Sequence, residues 1–206
     1  MALVGQPVLY LASASPRRQA LLKQMDLSFQ IVDVQVDESV KPNESPRDYV
    51  KRLAEIKALA GAKLTCDPEA WVVGGDTVVV LNHQILGKPR DEEDAQQMLS
   101  QLSGKVHLVL SAVAVAHQGE VASCLQQTEV EFAALDSDWI ASYVASGEPL
   151  DKAGAYAIQG AAARYIKKIN GSFYAVMGLP LYELDQLLQH RGFVRAGIDL
   201  TASAPA

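Results

Sequence analysis

A chain of 206 residues, 49% hydrophobic and 20% charged, can bury one substantial core with room for two lobes, but hardly two independent domains. Its 24 acidic and 18 basic side chains leave a net charge of −6, which argues against a nucleic-acid polymer as partner, since such binding wants a basic face. Two cysteines without paired spacing indicate neither a disulfide framework nor a zinc cage; with no leader and no bilayer-length apolar run, a cytoplasmic protein with no membrane partner is expected.

Residues 8–12 form an apolar run that reads as a short buried strand. Ser15 then offers an N-cap and Pro16 suits the first helical position, so a helix is predicted to begin here. A helix N-terminus favours anions, yet the first turn carries Arg17 and Arg18, which the dipole repels at about 0.3–1 kcal/mol each. Local conflicts of this kind are kept most readily at functional sites. With Ser13 and Ser15 beside them, the two guanidiniums read as a phosphate clamp, in preference to arginines facing water.

Residues 29–36 alternate loosely as a second strand and end in Asp37-Glu38. Ser45-Pro46-Arg47-Asp48 is a capping-box type of start for a helix predicted to run to about residue 60, ahead of Gly61. Lys57 falls on the helix arc between Leu53 and Val50, either snorkelling at the rim of a core or aiming into a cleft. Periodicity leaves both readings open. Residues 71–80 place Gly74-Gly75-Asp76-Thr77 between two β-branched runs, poor strand formers in the middle of a buried strand. The glycines imply a bulge or a close backbone approach to a ligand. An unpaired Asp76 there is too costly, so a carboxylate that holds a metal or takes a proton is favoured over a structural salt bridge.

Residues 81–84 read as a hairpin turn, and Lys88, between Gly87 and Pro89, reads by itself as a surface lysine. A helix is predicted over 91–103, with Ala95, Met98, Leu99 and Leu102 inward and Gly104 as its stop. Two long antiparallel strands, 106–116 and 121–132, follow, and His107 and His117 on them lack metal-ligand spacing and read as structural or exposed. Ser137 is expected to cap a short helix ending at Gly147, and residues 147–160 read as a poor core and a ligand-lining loop. A strand over 164–169, a turn at Asn170-Gly171 and a final helix from Pro180 to about His190 complete one domain over 1–195, with 196–206 a frayed tail. P-loop, dinucleotide-binding, zinc-protease and nucleophile-elbow motifs are absent.

The exceptional positions are Ser13, Arg17, Arg18, Glu38, Lys57, Asp76, Thr77 and Lys88. Cations that hold phosphates, with two carboxylates that bind a divalent ion and orient or deprotonate water, suit phosphoryl chemistry. The residues alone therefore point to a Mg²⁺- or Mn²⁺-dependent enzyme acting on a small phosphate ester.

Ser13-Ala14-Ser15-Pro16-Arg17-Arg18, Gly75-Asp76-Thr77, Gly87-Lys88-Pro89-Arg90, Asp151-Lys152-Ala153-Gly154-Ala155-Tyr156 and Gly171-Ser172 resemble, in order and spacing over residues 8–188, the signature segments of the Maf family. These are nucleoside triphosphate pyrophosphatases once called septum-formation inhibitors. The resemblance implies a single two-lobed α/β unit with an elongated central mixed sheet flanked by helices, a nucleotide cleft between the lobes, and a homodimer. It implies hydrolysis of a nucleoside triphosphate to the monophosphate and pyrophosphate with Mg²⁺ or Mn²⁺. Asp76 matches the proton acceptor, Glu38 a second acid sharing the metal with it, and Ser13, Arg18, Lys57 and Lys88 phosphate-binding and catalytic groups. Arg17, Thr77 and Gln159 match relatives that prefer dTTP and UTP, with Thr77 and Gln159 reading the base or positioning the nucleotide. The run 148–156 is closer to that group than to its sister, which prefers 7-methyl-GTP. Gly75 departs from the Ala that close relatives often carry, which loosens the backbone without removing a functional group. The alternatives are the sister specificity and a nucleotide-binding regulator of cell division without turnover; two carboxylates in a polyanion site disfavour the latter.

Overall fold

The computed structural model describes residues 7–193; the tail expected over 196–206 lies outside them. The strands are β1 (Leu9–Leu11), β2 (Phe29–Ile31), β3 (Trp71–Leu81), β4 (Gln84–Leu86), β5 (Val106–His117), β6 (Glu120–Phe132) and β7 (Ile166–Asn170). The helices are α1 (Pro16–Gln24), α2 (Pro46–Thr65), α3 (Glu92–Leu102), α4 (Ser137–Ala145), α5 (Phe173–Met177) and α6 (Leu181–His190). The strands form one mixed sheet in the order β2-β1-β3-β5-β6-β7, with β4 paired to β3 off that path. β1 runs parallel to β2 and β3, and the rest of the sheet is antiparallel.

Side chains of β3 and β5 alternate between two apolar cores, one on each face. Val72, Val78 and Val80 meet Val50, Leu53, Ala54 and Ala58 of α2 on one face. Val73 and Val79 belong to the other core, with α3, α4 and α6. The expected mixed α/β architecture with a helix-flanked central sheet is therefore present.

Several local expectations change under tertiary contacts. The strand at 29–36 pairs only over Phe29–Ile31, because its partner β1 is three residues long; residues 32–36 keep their alternation of exposure but leave the sheet. Helix α2 does not stop before Gly61. A Cβ there would lie 2.7 Å from Val72 Cγ1 and 3.0 Å from Ala12 Cβ, so the glycine lets the helix sit on the sheet, and the end comes at a left-handed Cys66. No bulge interrupts β3, whose register with β5 is continuous from Val72↔Ala116 to Val80↔Leu108. Asp136, rather than Ser137, caps α4 by accepting from the Asp138 and Trp139 N–H groups. Loop 147–160 contributes to the core after all, through buried Ala155, Tyr156 and Ile158. The last strand starts at Ile166, with Arg164 in a 3₁₀ turn ahead of it. Helix α5, capped by the Ser172 hydroxyl, was not expected, because five residues are too few to show a period.

One feature of the sheet positions the site. β5 covers one edge of β3 from Val72 to Val80. On the other edge β1 pairs only with Trp71, Val72 and Val73, and β4 only with Val79, Val80 and Leu81. Residues 74–78, which include Asp76 and Thr77, have no strand on that side.

Candidate active site

A cleft of about 840 Å³ opens at this gap. Ser13, Arg17, Arg18, Glu38, Lys57, Asp76, Thr77, Lys88 and Gln159 all line it. The structure thus brings together every residue singled out in the sequence.

On the α2 face, Lys57 lies on the buried stripe of the helix and its Nζ is 2.8 Å from Asp76 Oδ1 and 2.6 Å from Glu38 Oε1. The Lys57 and Asp76 side chains are each only 11% exposed, whereas Glu38 is 57% exposed. Asp76 is therefore an ion-paired charge and avoids the cost of an unpaired one. Burial pushes its carboxyl above the ordinary value, with Lys57 and Arg18 pulling the other way. Gly74 makes this geometry possible. A Cβ there would lie 2.3 Å from the Ala54 carbonyl oxygen and 2.6 Å from the Ala58 nitrogen, so the close approach is to α2 and not to a ligand.

Glu38 sits on irregular chain that α2 holds in place. The Tyr49 hydroxyl donates to the Glu38 carbonyl at 2.9 Å. Arg52 Nη2 donates to the Ser39 carbonyl at 3.0 Å, and the same guanidinium forks onto the Glu44 carboxylate. That fork holds the Glu44 carboxyl down at about 2.

On the opposite face, Arg18 reaches from the first turn of α1 across β3. Its Nε donates to the Gly178 carbonyl at 2.8 Å, Nη1 to Ser13 Oγ at 3.3 Å and Nη2 to Thr77 Oγ1 at 3.5 Å. Gly75 faces the same guanidinium, and a Cβ there would lie in ordinary contact, 3.4 Å from Arg18 Nε. Thr77 Oγ1 in turn is 2.5 Å from Ser111 Oγ. Ser15 stands at the N-cap of α1 but its side chain makes no cap bond, while its own N–H donates to Ser13 Oγ at 3.2 Å. The Ser15 hydroxyl thus leaves the first-turn N–H groups uncapped, and residues 13–18 line the cleft, where such a helix end favours an anion.

The third wall is loop 147–160. Gly154 N–H donates to the Gly87 carbonyl at 2.9 Å, which ties the exposed Lys88 segment to this loop. Glu148 accepts from the Tyr143 hydroxyl at 2.8 Å and from Ala161 N–H at 3.2 Å, and Tyr143 Oη accepts from Ala157 N–H at 3.2 Å. These bonds bracket exposed Gln159 on both sides. Lys152 Nζ donates to the Glu148 carbonyl at 3.1 Å and pairs with Asp151. Arg17 faces Asp151, whose charge offsets part of the burial that lowers the arginine's pKa.

Tyr49 and Lys152 at the cleft, and Ser111 buried behind Thr77, are groups whose individual roles sequence reasoning missed. Tyr49 carried a signal, because it shares the helix stripe with Leu53 and Lys57 at successive intervals of four. Ser111 carried little, a single hydroxyl in an apolar strand. His107 and His117 are structural, as expected: His107 Nε2 is 2.8 Å from Tyr156 Oη, and His117 stacks on Trp71 at 3.8 Å.

Among the described residues no group of three or more His, Cys, Asp or Glu could hold a metal by itself. Asp76 and Glu38, both within reach of one ammonium, nevertheless fit the donor set that Mg²⁺ takes, one or two carboxylates completed by substrate phosphates and water.

The Maf-like protein family model matches residues 8–191. A dTTP/UTP pyrophosphatase from Pectobacterium atrosepticum is 50% identical over 188 residues, spanning 91% of this chain and 95% of its own. Another from Pseudoalteromonas translucida is 53% identical over 180 residues, spanning 87% and 95%. A solved nucleoside-triphosphatase / dITP/XTP pyrophosphatase from Mycobacterium abscessus is a looser match, at 19% identity and TM-score 0.44 over 90% of this chain and 95% of that one. A family match over nearly the whole described chain, with relatives half identical to it, settles its kinship: the chain belongs to the Maf-like protein family.

Proposed function

We propose that this chain hydrolyses nucleoside triphosphates, dTTP and UTP foremost, to the monophosphate and pyrophosphate. The observation that carries the reading is the pairing of Asp76 and Glu38 on Lys57, round the exposed edge of β3 from Arg18. Full-length relatives named dTTP/UTP pyrophosphatase support the choice of substrate.

In this mechanism water attacks the α-phosphorus, a P–O bond forms to water, and the bond to the bridging oxygen of pyrophosphate breaks. Asp76 takes the water proton, and its raised affinity for protons suits a general base better than an ordinary surface aspartate. Lys57 holds Asp76 and Glu38 in place and meets charge on the phosphates. Arg18, Lys88, Arg17, Ser13 and the N-terminus of α1 bind the phosphate chain and the departing pyrophosphate. Thr77 and Gln159 contact the nucleoside. Asp76 and Glu38, together with phosphate oxygens, hold a divalent cation, Mg²⁺ or Mn²⁺, which supplies charge neutralisation when bound. The family resemblance also carries the proposal of a homodimer working in the cytoplasm. Among the described residues no helix is long and apolar enough to cross a membrane.

The test is pyrophosphate release from dTTP, UTP, CTP and 7-methyl-GTP with Mg²⁺, with Mn²⁺ and after chelation. Fastest turnover on dTTP and UTP, lost on chelation, is the expected result. A preference for 7-methyl-GTP moves the chain to the sister specificity, and tight binding with no release makes it a regulator.

A further inference from the structure

We infer that Ser111 is a positioning residue that fixes Thr77 as a hydrogen-bond donor toward the cleft, so that this wall selects an acceptor oxygen on the nucleotide. The inference rests on the proposed nucleotide site and deepens it.

The number of hydrogens at the Thr77–Ser111 contact fixes which hydroxyl donates. Thr77 and Ser111 are opposite each other in the β3–β5 register, and their hydroxyl oxygens are 2.5 Å apart. Each hydroxyl has one hydrogen and two acceptor positions. Only one of the two hydrogens can occupy the contact between them. Ser111 is fully buried, and among the described residues Thr77 is the one hydrogen-bond partner of its hydroxyl. If Thr77 donated to Ser111, the serine hydrogen would be left in the apolar interior without an acceptor, the costly arrangement for a buried polar group. Thr77 is half-buried on the cleft wall, where its hydrogen can reach water or a ligand.

Ser111 therefore donates. Arg18 Nη2 donates to the same threonine oxygen at 3.5 Å, and a guanidinium can never accept. With both acceptor positions of Thr77 Oγ1 supplied, its own hydrogen is the one feature left for the cleft. The wall at Thr77 is closed to amino and imino donors and open to a keto, ribose or phosphate oxygen. Ser111 touches no ligand and works through Thr77 alone.

The experiment compares the unmodified chain with Ser111→Ala, Ser111→Cys, Thr77→Val and the double variant Thr77→Val/Ser111→Ala. Turnover of UTP, dTTP, CTP and ATP is measured, alongside binding of the non-hydrolysable α,β-imido analogues of UTP and CTP. Ser111→Ala is expected to lose about tenfold in kcat/KM on UTP, and Ser111→Cys, with its weaker donor, to lose less. The double variant is expected to be no worse than Thr77→Val. A loss confined to UTP and dTTP identifies the oxygen as the base 4-keto group, which cytosine replaces with a donor. An equal loss on all four nucleotides identifies it as a ribose or phosphate oxygen. Ser111→Ala within twofold of the unmodified chain on every nucleotide, or a double variant showing the full sum of both losses, overturns the inference. If the unmodified chain releases no pyrophosphate, the catalytic reading alone falls, and the imido-analogue affinities still decide on Ser111.

Discussion

Asp76 and Thr77 are neighbours in the chain, yet they point to opposite faces of the sheet. Asp76 meets Lys57 on the α2 face, and Thr77 meets Arg18 and Ser111 on the other. A continuous sheet would keep those two faces apart. Here the edge of β3 is bare between β1 and β4, and the cleft passes round it. Two carboxylates and an ammonium line the cleft from one side of the strand, and the Arg18 guanidinium from the other.

Asp76→Asn tests the proton acceptor. The amide keeps the shape and still accepts from Lys57, but cannot take a proton from water. Turnover of dTTP should fall by about a hundred- to ten-thousandfold. Because burial disfavours the ionised form of this carboxyl, the fold should lose no stability at pH 7, which thermal melting would check. Near-normal hydrolysis by this variant would remove Asp76 from the role.

The two glycines beside it should behave oppositely. Gly74→Ala drives a methyl to 2.3 Å from the Ala54 carbonyl oxygen, so α2 must lift from the sheet at a cost of about 1–3 kcal/mol or more. Gly75→Ala places its methyl 3.4 Å from Arg18 Nε and the Ala112 carbonyl oxygen, an ordinary contact. By restricting the unfolded chain it should add about 0.4–1 kcal/mol with turnover retained. Calorimetric melting of both variants decides; equal effects would mean that Gly74 is not what seats α2.

Tyr49→Phe removes the hydroxyl that holds the Glu38 carbonyl. A single such bond is worth about 1 kcal/mol, so turnover should drop roughly fivefold, with a higher Mg²⁺ requirement. Paired with Glu38→Ala, the same change should have almost no further effect, because its influence runs through Glu38. Additive losses in the double-variant cycle would show that Tyr49 acts elsewhere.

His107 supplies a pH signature of the fold. Burial holds its pKa down at about 4, against about 6.5 in an unfolded chain. Between these values the unfolded state binds the extra proton, so stability falls as pH drops from about 6.5 to about 4 and this group adds nothing below that. The upper bound is about 3 kcal/mol. Melting temperature against pH should be flatter over that window for His107→Gln than for the unmodified chain. Identical slopes would show that the ring already titrates normally.

The chain's order alone determined a good deal. The Arg17-Arg18 pair against a helix dipole, the Gly-Gly-Asp-Thr break in a β-branched run and the capping signal at Ser45 all lie within a few residues of their cause. Such features are legible because propensity, capping and charge at a helix end are short-range effects. The contacts that give those residues meaning span 19 to 160 positions, as between Lys57 and Asp76 or Arg18 and Gly178. Gly61 read as a stop and Gly74 as a ligand approach, because their true neighbours are a strand and a helix distant in sequence. Ser111 gained its significance only from a strand register that pairs it with Thr77. Local order named the chemical groups; long-range packing chose which of them share a hydrogen, a charge or a face, because those energies depend on distances that only the closed sheet defines.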